Sequence, residues 1–228
     1  RLMKNLPEKR HKNWLAEIDR WKRDYPLKWS KSSRLSPQYI IETLSRLTSD
    51  RAIITTEVGQ NQMWTAQFYK FTRPRTFISS GGLGTMGYGL GAAMGAAIGS
   101  PDMQVINIAG DGSFKMNLTE LTTISRYKLP IIQLVLNNHS LGMVRQWQSL
   151  FFEERYSHTT LGEDVDFIKL ADAFGIEGIK LTRNAEVEEI LQYALDRRGP
   201  IIVECDIDRD EMVLPIVPPG ESIDVFID

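Results

Sequence analysis

Asp111 stands between two glycines, and Asn138 follows 27 residues later. Each comes just after a short apolar run, Val105 to Ala109 and Ile131 to Leu136. A carboxylate at the end of a buried strand is costly to desolvate unless it meets a cation. Flanking glycines let backbone N–H groups approach a bulky anion closely. Asn138 offers a neutral amide oxygen, and Ser140 beyond it a backbone carbonyl. With two phosphate oxygens these make a hard oxygen shell suited to Mg2+ or Ca2+. Either motif alone reads first as a tight turn. Together, at two strand ends, they favour a metal ion bridging the protein to a diphosphate.

A third strand end has a rival explanation. Gly82, Gly84 and Gly87 follow the run Thr76 to Ser79 with the spacing of a dinucleotide fingerprint, and Asp111 could serve as the ribose acid. That reading, a nicotinamide-dependent Rossmann oxidoreductase, leaves Asn137-Asn138 without a role. The glycines also continue: Gly87, Gly91, Gly95 and Gly99 fall every four residues. Each interior glycine costs a helix roughly 0.5–1 kcal/mol relative to alanine, so a bare ridge needs a packing reason. The expectation is a buried helix from Leu83 to Ile98 in close contact with another helix, at a subunit interface.

These residues need elements to hold them. Ser36-Pro37 reads as an N-cap with proline at the first helical position, and Tyr39, Ile40, Leu44 and Leu47 make the stripe behind it. Strands are expected at 52–55, 76–79, 105–109, 131–136, 178–181 and 201–205. Helices are expected at 60–69, from Asn117 as N-cap to Tyr127, and at 142–152, 167–174 and 185–197. Short apolar strands alternating with helices mean an α/β, doubly wound, mostly parallel six-stranded sheet with helices on both faces.

Residues 1–34 differ from the rest. They hold 11 Lys/Arg against 4 Asp/Glu and three of the five tryptophans, Trp14, Trp21 and Trp29. A basic aromatic arm for nucleic acid or membrane, in a non-catalytic interaction module, is the sharp reading. The plainer one is a surface helix over 12–23, with Leu15, Ile18 and Trp21 turned inward. Pro26 ends it and a Ser/Lys linker follows. The division is a basic linker and helical arm over 1–34 and one domain over 35–228. The whole chain of 228 residues carries a net charge of −2, so it lacks a global nucleic-acid footprint. The single cysteine, Cys205, excludes an internal disulfide framework and reads as buried core. Arg1-Leu2-Met3-Lys4 begins a charged stretch rather than a secretory leader, and the missing initial methionine suggests a piece of a longer protein. His139, His158 and the acidic run from Asp206 to Glu211 read as solvated turns.

Gly110-Asp111-Gly112, then 24 residues, then Asn137-Asn138, resembles a thiamine-diphosphate motif. Gly142-Met143-Val144-Arg145-Gln146-Trp147-Gln148 narrows the resemblance, as do Val58-Gly59-Gln60, the run from Gly82 to Gly89 and Pro215-Ile216-Val217-Pro218-Pro219-Gly220. From about Leu35 on, the sequence is similar to the C-terminal, thiamine-diphosphate-binding domain of the acetolactate (acetohydroxyacid) synthases.

The resemblance implies the following roles. Asp111 and Asn138 would bind Mg2+ by side chain and Ser140 by its carbonyl. Gly110, Gly112 and Ser113 would meet the diphosphate, the last two through N–H groups. Gln60 and Asn61 would line the same pocket, although the family usually has histidine at position 61. Gly84 and Met86 would bond the aminopyrimidine through backbone atoms, with the Met86 side chain folding the two cofactor rings together. Met116, Met143 and Trp147 would line the substrate entrance, Met143 also reaching the cofactor. Met86 and Trp147 would be this chain's catalytic contribution.

The implied reaction joins pyruvate, after loss of CO2, to a second 2-oxoacid, giving 2-acetolactate in branched-chain amino-acid synthesis. The general-base glutamate would come from the N-terminal domain of the partner subunit in a homodimer or tetramer; Glu57 does not match its motif. FAD is expected in the full-length protein but not on this domain. A regulatory subunit is allowed, and the expected location is cytoplasmic, of the bacterial type, with an organelle left open. Another thiamine-diphosphate carboligase or a 2-oxoacid decarboxylase is the alternative within the family.

Overall fold

The computed structural model describes residues 10–29, 33–162 and 165–228. The charged start at 1–4 and most of the Ser/Lys linker lie outside them. The chain divides into two compact units between residues 30 and 31.

Among its described residues the first unit has one helix, α1 (Lys12–Asp24), which buries none of its residues. Of the residues expected to turn inward, Leu15 and Trp21 are exposed and Ile18 is half-buried. Trp21 instead meets Trp14 edge to face, with ring centroids 5.5 Å apart.

The second unit runs α2 (Pro37–Thr48), β1 (Ala52–Thr56), α3 (Gln60–Phe68), β2 (Phe77–Ile78), α4 (Gly89–Gly99), β3 (Gln104–Gly110), α5 (Asp111–Phe114), a 3-10 turn (Leu118–Glu120), α6 (Leu121–Tyr127) and β4 (Ile131–Asn137). It continues with α7 (Gly142–Phe151), α8 (Phe167–Ala173), β5 (Glu177–Leu181), a second 3-10 turn (Asn184–Glu186), α9 (Val187–Asp196) and β6 (Ile201–Asp206). All six strands are parallel, in the order β2-β1-β3-β4-β6-β5. Every residue of β4 is buried, as a strand covered on both faces requires. On one face Leu90, Ala93 and Ala97 of α4, Leu121 and Ile124 of α6 and Phe167 and Ala171 of α8 pack on Val105, Ile131, Val135 and Ile202. On the other, α2 packs on α3 and α9. Cys205 is fully buried. No described helix is long and apolar enough to cross a membrane.

The core also holds a polar rung. Thr55 Oγ1 donates to Asn107 Oδ1 at 2.9 Å, and Asn107 Nδ2 donates to Gln133 Oε1 at 2.7 Å. These residues sit opposite one another on β1, β3 and β4. Each satisfies its neighbour, which is what lets three polar side chains lie in a dry sheet.

Three local expectations need correction. The helix expected from Leu83 begins at Gly89, and Leu83 is 94 % exposed in a run of turns. Asn117 does not cap with its side chain; its Nδ2 donates to the Gly87 carbonyl. Within this chain a Cβ on Gly91, Gly95 or Gly99 would have nothing within 4 Å among the described residues, so the ridge stays open on the side where a subunit contact is expected. Ser36 does occupy the N-cap before Pro37, but its hydroxyl donates to Gln38 Oε1 rather than accepting from the helix.

Candidate functional site

The sheet order sets a switch point. The chain leaves β1 toward β2 on one side and β3 toward β4 on the other. In an open parallel sheet, ligands settle beyond the carboxyl ends of the strands at such a point. A cavity of about 250 Å3 opens there. Gln60 and Asn61 reach it from the first turn of α3, and Gly84 and Met86 from the loop after β2. Gly110, Gly112 and Ser113 come from the end of β3, and Asn138, Ser140 and Met143 from the segment after β4. Residues far apart in sequence thus share one wall because parallel strands all end on the same side.

Asp111 lies between Gly110 and Gly112, 1 % exposed, and neither carboxylate oxygen has a hydrogen-bond partner. Burial pushes its carboxyl up to about 6, with Lys115 and His139 pulling the other way. The nearby Gly112 and Asp111 N–H groups pull the same way as those side chains, yet burial outweighs all four, and a cation answers an acid so placed. The neighbouring donors are oxygens. The Asn138 amide is oriented at both ends: Nδ2 donates to Gln60 Oε1 at 3.1 Å, and Oδ1 accepts the Ser140 N–H at 3.2 Å. Ser140 is held in turn by its hydroxyl, which donates to the Thr159 carbonyl at 2.8 Å. Among the described residues no group of three or more His, Cys, Asp and Glu forms. One carboxylate with amide and carbonyl oxygens is a hard donor set, which fits Mg2+.

Gln60 lines the cavity, but its carboxamide is committed within the protein. Nε2 donates to Gln146 Oε1 at 2.9 Å and to the Glu211 carbonyl at 2.8 Å, while Oε1 receives Asn138. Gln60 therefore orients Asn138. Asn61 is different: it is 3 % exposed and its Oδ1 has no partner. Trp64, four residues after Gln60 and so on the same helical face, also lines the cavity, with its indole N–H unpartnered. The sequence reading did not single out Trp64; its helical spacing from Gln60 was the signal.

Glycine identity has two causes here. A Cβ on Gly142 would sit 2.0 Å from Gln60 Oε1, and one on Gly112 2.8 Å from Leu141 Cδ2. Packing requires the glycine at 142, where both amides are hydrogen-bonded, and at 112 it only asks the tips of Leu141 and Leu161 to give way. Gly84, by contrast, has φ +60°, a backbone region that favours glycine. Its N–H donates to the Ser80 carbonyl at 3.2 Å, so the carbonyl is what it has to offer a ligand.

The expected entrance residues separate. Trp147 lies in an adjoining groove of about 520 Å3 with Phe152 and Arg155, sharing Met143 and Val144 with the first cavity. Met116 lines neither; it is 57 % exposed and flanks Gly87. The dinucleotide reading fails on geometry. β2 has only two residues, lies at the sheet edge and is followed by a long run of turns rather than a helix. Gly82 is exposed with open space around it.

Comparison with known proteins agrees with this geometry. Residues 57–205 match the family "Thiamine pyrophosphate enzyme, C-terminal TPP binding domain". The chain belongs to that family. It is 44% identical over 232 residues to the mitochondrial acetolactate synthase catalytic subunit of Saccharomyces cerevisiae, covering 99% of this chain and 34% of that protein. It is 48% identical over 221 residues to the Aspergillus candidus counterpart, covering 94% and 32%. To the large subunit of Escherichia coli acetolactate synthase isozyme 2 it is 47% identical over 208 residues, covering 91% and 37%. This TPP-binding domain spans about a third of the length of the curated relatives it matches.

Proposed function

We propose that the chain supplies the metal-and-diphosphate half of the cofactor site of an acetolactate synthase. The observation that carries this is the buried Asp111 carboxylate at the end of β3, the strand paired with β4, beyond which Asn138 follows. Asp111 and Asn138 would hold Mg2+ by side chain and Ser140 by its carbonyl. The Gly112 and Ser113 amides would meet the diphosphate, and Met86 the rings. Bound thiamine diphosphate would supply the electron sink for decarboxylating pyruvate and joining it to a second 2-oxoacid. The chain's own work is to bind, orient and exclude water. Asn61 and Trp64 offer further polar contacts, and Met143 and Trp147 line the approach.

The reading extends to a homodimer or tetramer in which a partner subunit's N-terminal domain supplies the general base. It further includes FAD on the whole enzyme, a regulatory subunit and a cytoplasmic, bacterial-type location. Thermal unfolding tests the core of the reading. Thiamine diphosphate with Mg2+ at 100 times its dissociation constant should stabilise the chain by about 2.7 kcal/mol, a rise of about 5–10 °C. EDTA or Asp111→Ala should abolish the rise, and NAD should give none. A rise with NAD alone would overturn the reading.

A further inference from the structure

Glu57 has no part in that scheme, yet it is fully buried at the end of β1. Burying a carboxylate costs several kcal/mol unless donors answer it. Three do, each from a different segment. Oε2 accepts the Gly87 N–H at 2.7 Å and the Ser113 hydroxyl at 2.8 Å, and Oε1 accepts the Leu90 N–H at 3.1 Å. Ser113 Oγ also accepts from the Gly87 N–H at 3.2 Å, closing a triangle. Gly87, with φ +85°, is held at its carbonyl too, by Asn117 Nδ2. The approach is close: a Cβ on Gly89 would lie 2.7 Å from the Thr56 carbonyl carbon and 2.8 Å from Glu57 N.

Two of the three donors are tied to the cavity walls, and the third, Leu90, lies in the first turn of α4. Gly87 follows Met86 in one wall, and Ser113 stands in the other, two residues after Asp111. We infer that Glu57 is a positioning residue that fixes the spacing between the Gly84–Gly87 loop and the Gly110–Ser113 turn, so that both face one ligand. A carboxylate suits the task because it only accepts. An amide at this position would turn its NH2 group against the Gly87 and Ser113 donors or against the Leu90 N–H. Ser113, with its hydroxyl spent on Glu57, keeps only its backbone N–H for the cavity. The inference rests on the cavity being the cofactor site.

The test compares the wild-type chain with Glu57→Gln and Ser113→Ala. Amide hydrogen exchange is read without cofactor, and affinity for thiamine diphosphate by calorimetry at saturating Mg2+. Glu57→Gln should speed exchange at Gly87 and Leu90 at least tenfold while leaving Ile108 and Leu134 in the central strands unchanged. It should weaken cofactor affinity at least tenfold. Ser113→Ala should give a smaller, several-fold change at Gly87, and decides the matter if Glu57→Gln does not fold. Exchange and affinity within twofold of wild type would overturn the inference. So would acceleration across the whole sheet, which marks a purely structural role. If the wild-type chain binds no thiamine diphosphate, the functional reading falls, and exchange alone decides whether Glu57 anchors the loop.

Discussion

Gln60 Oε1 accepts a hydrogen bond from Asn138 Nδ2 at 3.1 Å, tying the first turn of α3 to the residue after β4. That bond decides which atom of the Asn138 amide is left for a cation. With Nδ2 committed to Gln60, Oδ1 is the atom that remains. Gly142 guards the contact from the next helix. A Cβ there would lie 2.0 Å from Gln60 Oε1 and 2.5 Å from Asn138 Nδ2. Neither amide can retreat without breaking its other bonds. Gly142→Ala should therefore cost about 1–3 kcal/mol of stability and remove the Mg2+-dependent stabilisation by thiamine diphosphate. Urea unfolding with and without both ligands checks this; a retained ligand response would show that the Gln60–Asn138 bond does not set the site.

Gln146 supports the same pair from behind. Its Oε1 accepts from Gln60 Nε2 at 2.9 Å and from the Val213 N–H at 2.8 Å, and its Nε2 donates to the Val213 carbonyl at 2.9 Å. The side chain is 2 % exposed, so leucine would leave these partners unmet in a dry place. Gln146→Leu should cost about 2–4 kcal/mol. Gln146→Glu keeps an acceptor for Gln60 and the Val213 N–H but buries a charge and sets an oxygen against the Val213 carbonyl, and should cost at least as much at pH 7. Urea unfolding checks this, and a cost below about 0.5 kcal/mol for Gln146→Leu would contradict the hydrogen-bond account.

The glycines of α4 should divide. Gly89 has no room for a side chain: its Cβ would meet Asn107 Oδ1 at 2.5 Å and β1 backbone at 2.7 Å. Gly89→Ala should destabilise by about 1–3 kcal/mol. Gly95 faces open space in a helix interior, so Gly95→Ala should stabilise by about 0.5–1 kcal/mol. Thermal unfolding of the two variants side by side reads the contrast. Equal effects would mean that helix propensity alone governs both positions.

The sheet was legible because its strands are short apolar runs with polar residues beyond them, and β4 is buried along its whole length. The site residues were legible because they close those runs, and strand ends share one side of a parallel sheet. The loop from Gly81 to Tyr88 was not legible. It is uncharged and glycine-rich like the helix that follows, and its shape is set by tertiary bonds from Glu57, Ser113 and Asn117. Those three side chains come from elsewhere in the chain, so no local pattern announces them. Asn107 was visible as a polar residue inside an apolar strand, but its meaning depended on Thr55 and Gln133 standing level with it on neighbouring strands.

Asp111 gives the metal-free chain an unusual pH dependence. Its carboxyl rises from 3.8 to about 6 on folding, because burial disfavours the charge. The folded state therefore keeps a proton between those values where the unfolded state has lost it. By linkage, the contribution is most favourable below the unfolded value, declines as pH rises through the window, and is gone above pH 6. Measured as the stability of wild type minus Asp111→Asn in EDTA, the difference should fall by about 2 kcal/mol from pH 4.5 to 7.5. Added Mg2+ and thiamine diphosphate should shrink or reverse that slope, since a cation favours the carboxylate. A difference that stays flat with pH in EDTA would mean that Asp111 is not held dry, and the main physical reason for a cation at this position would go with it.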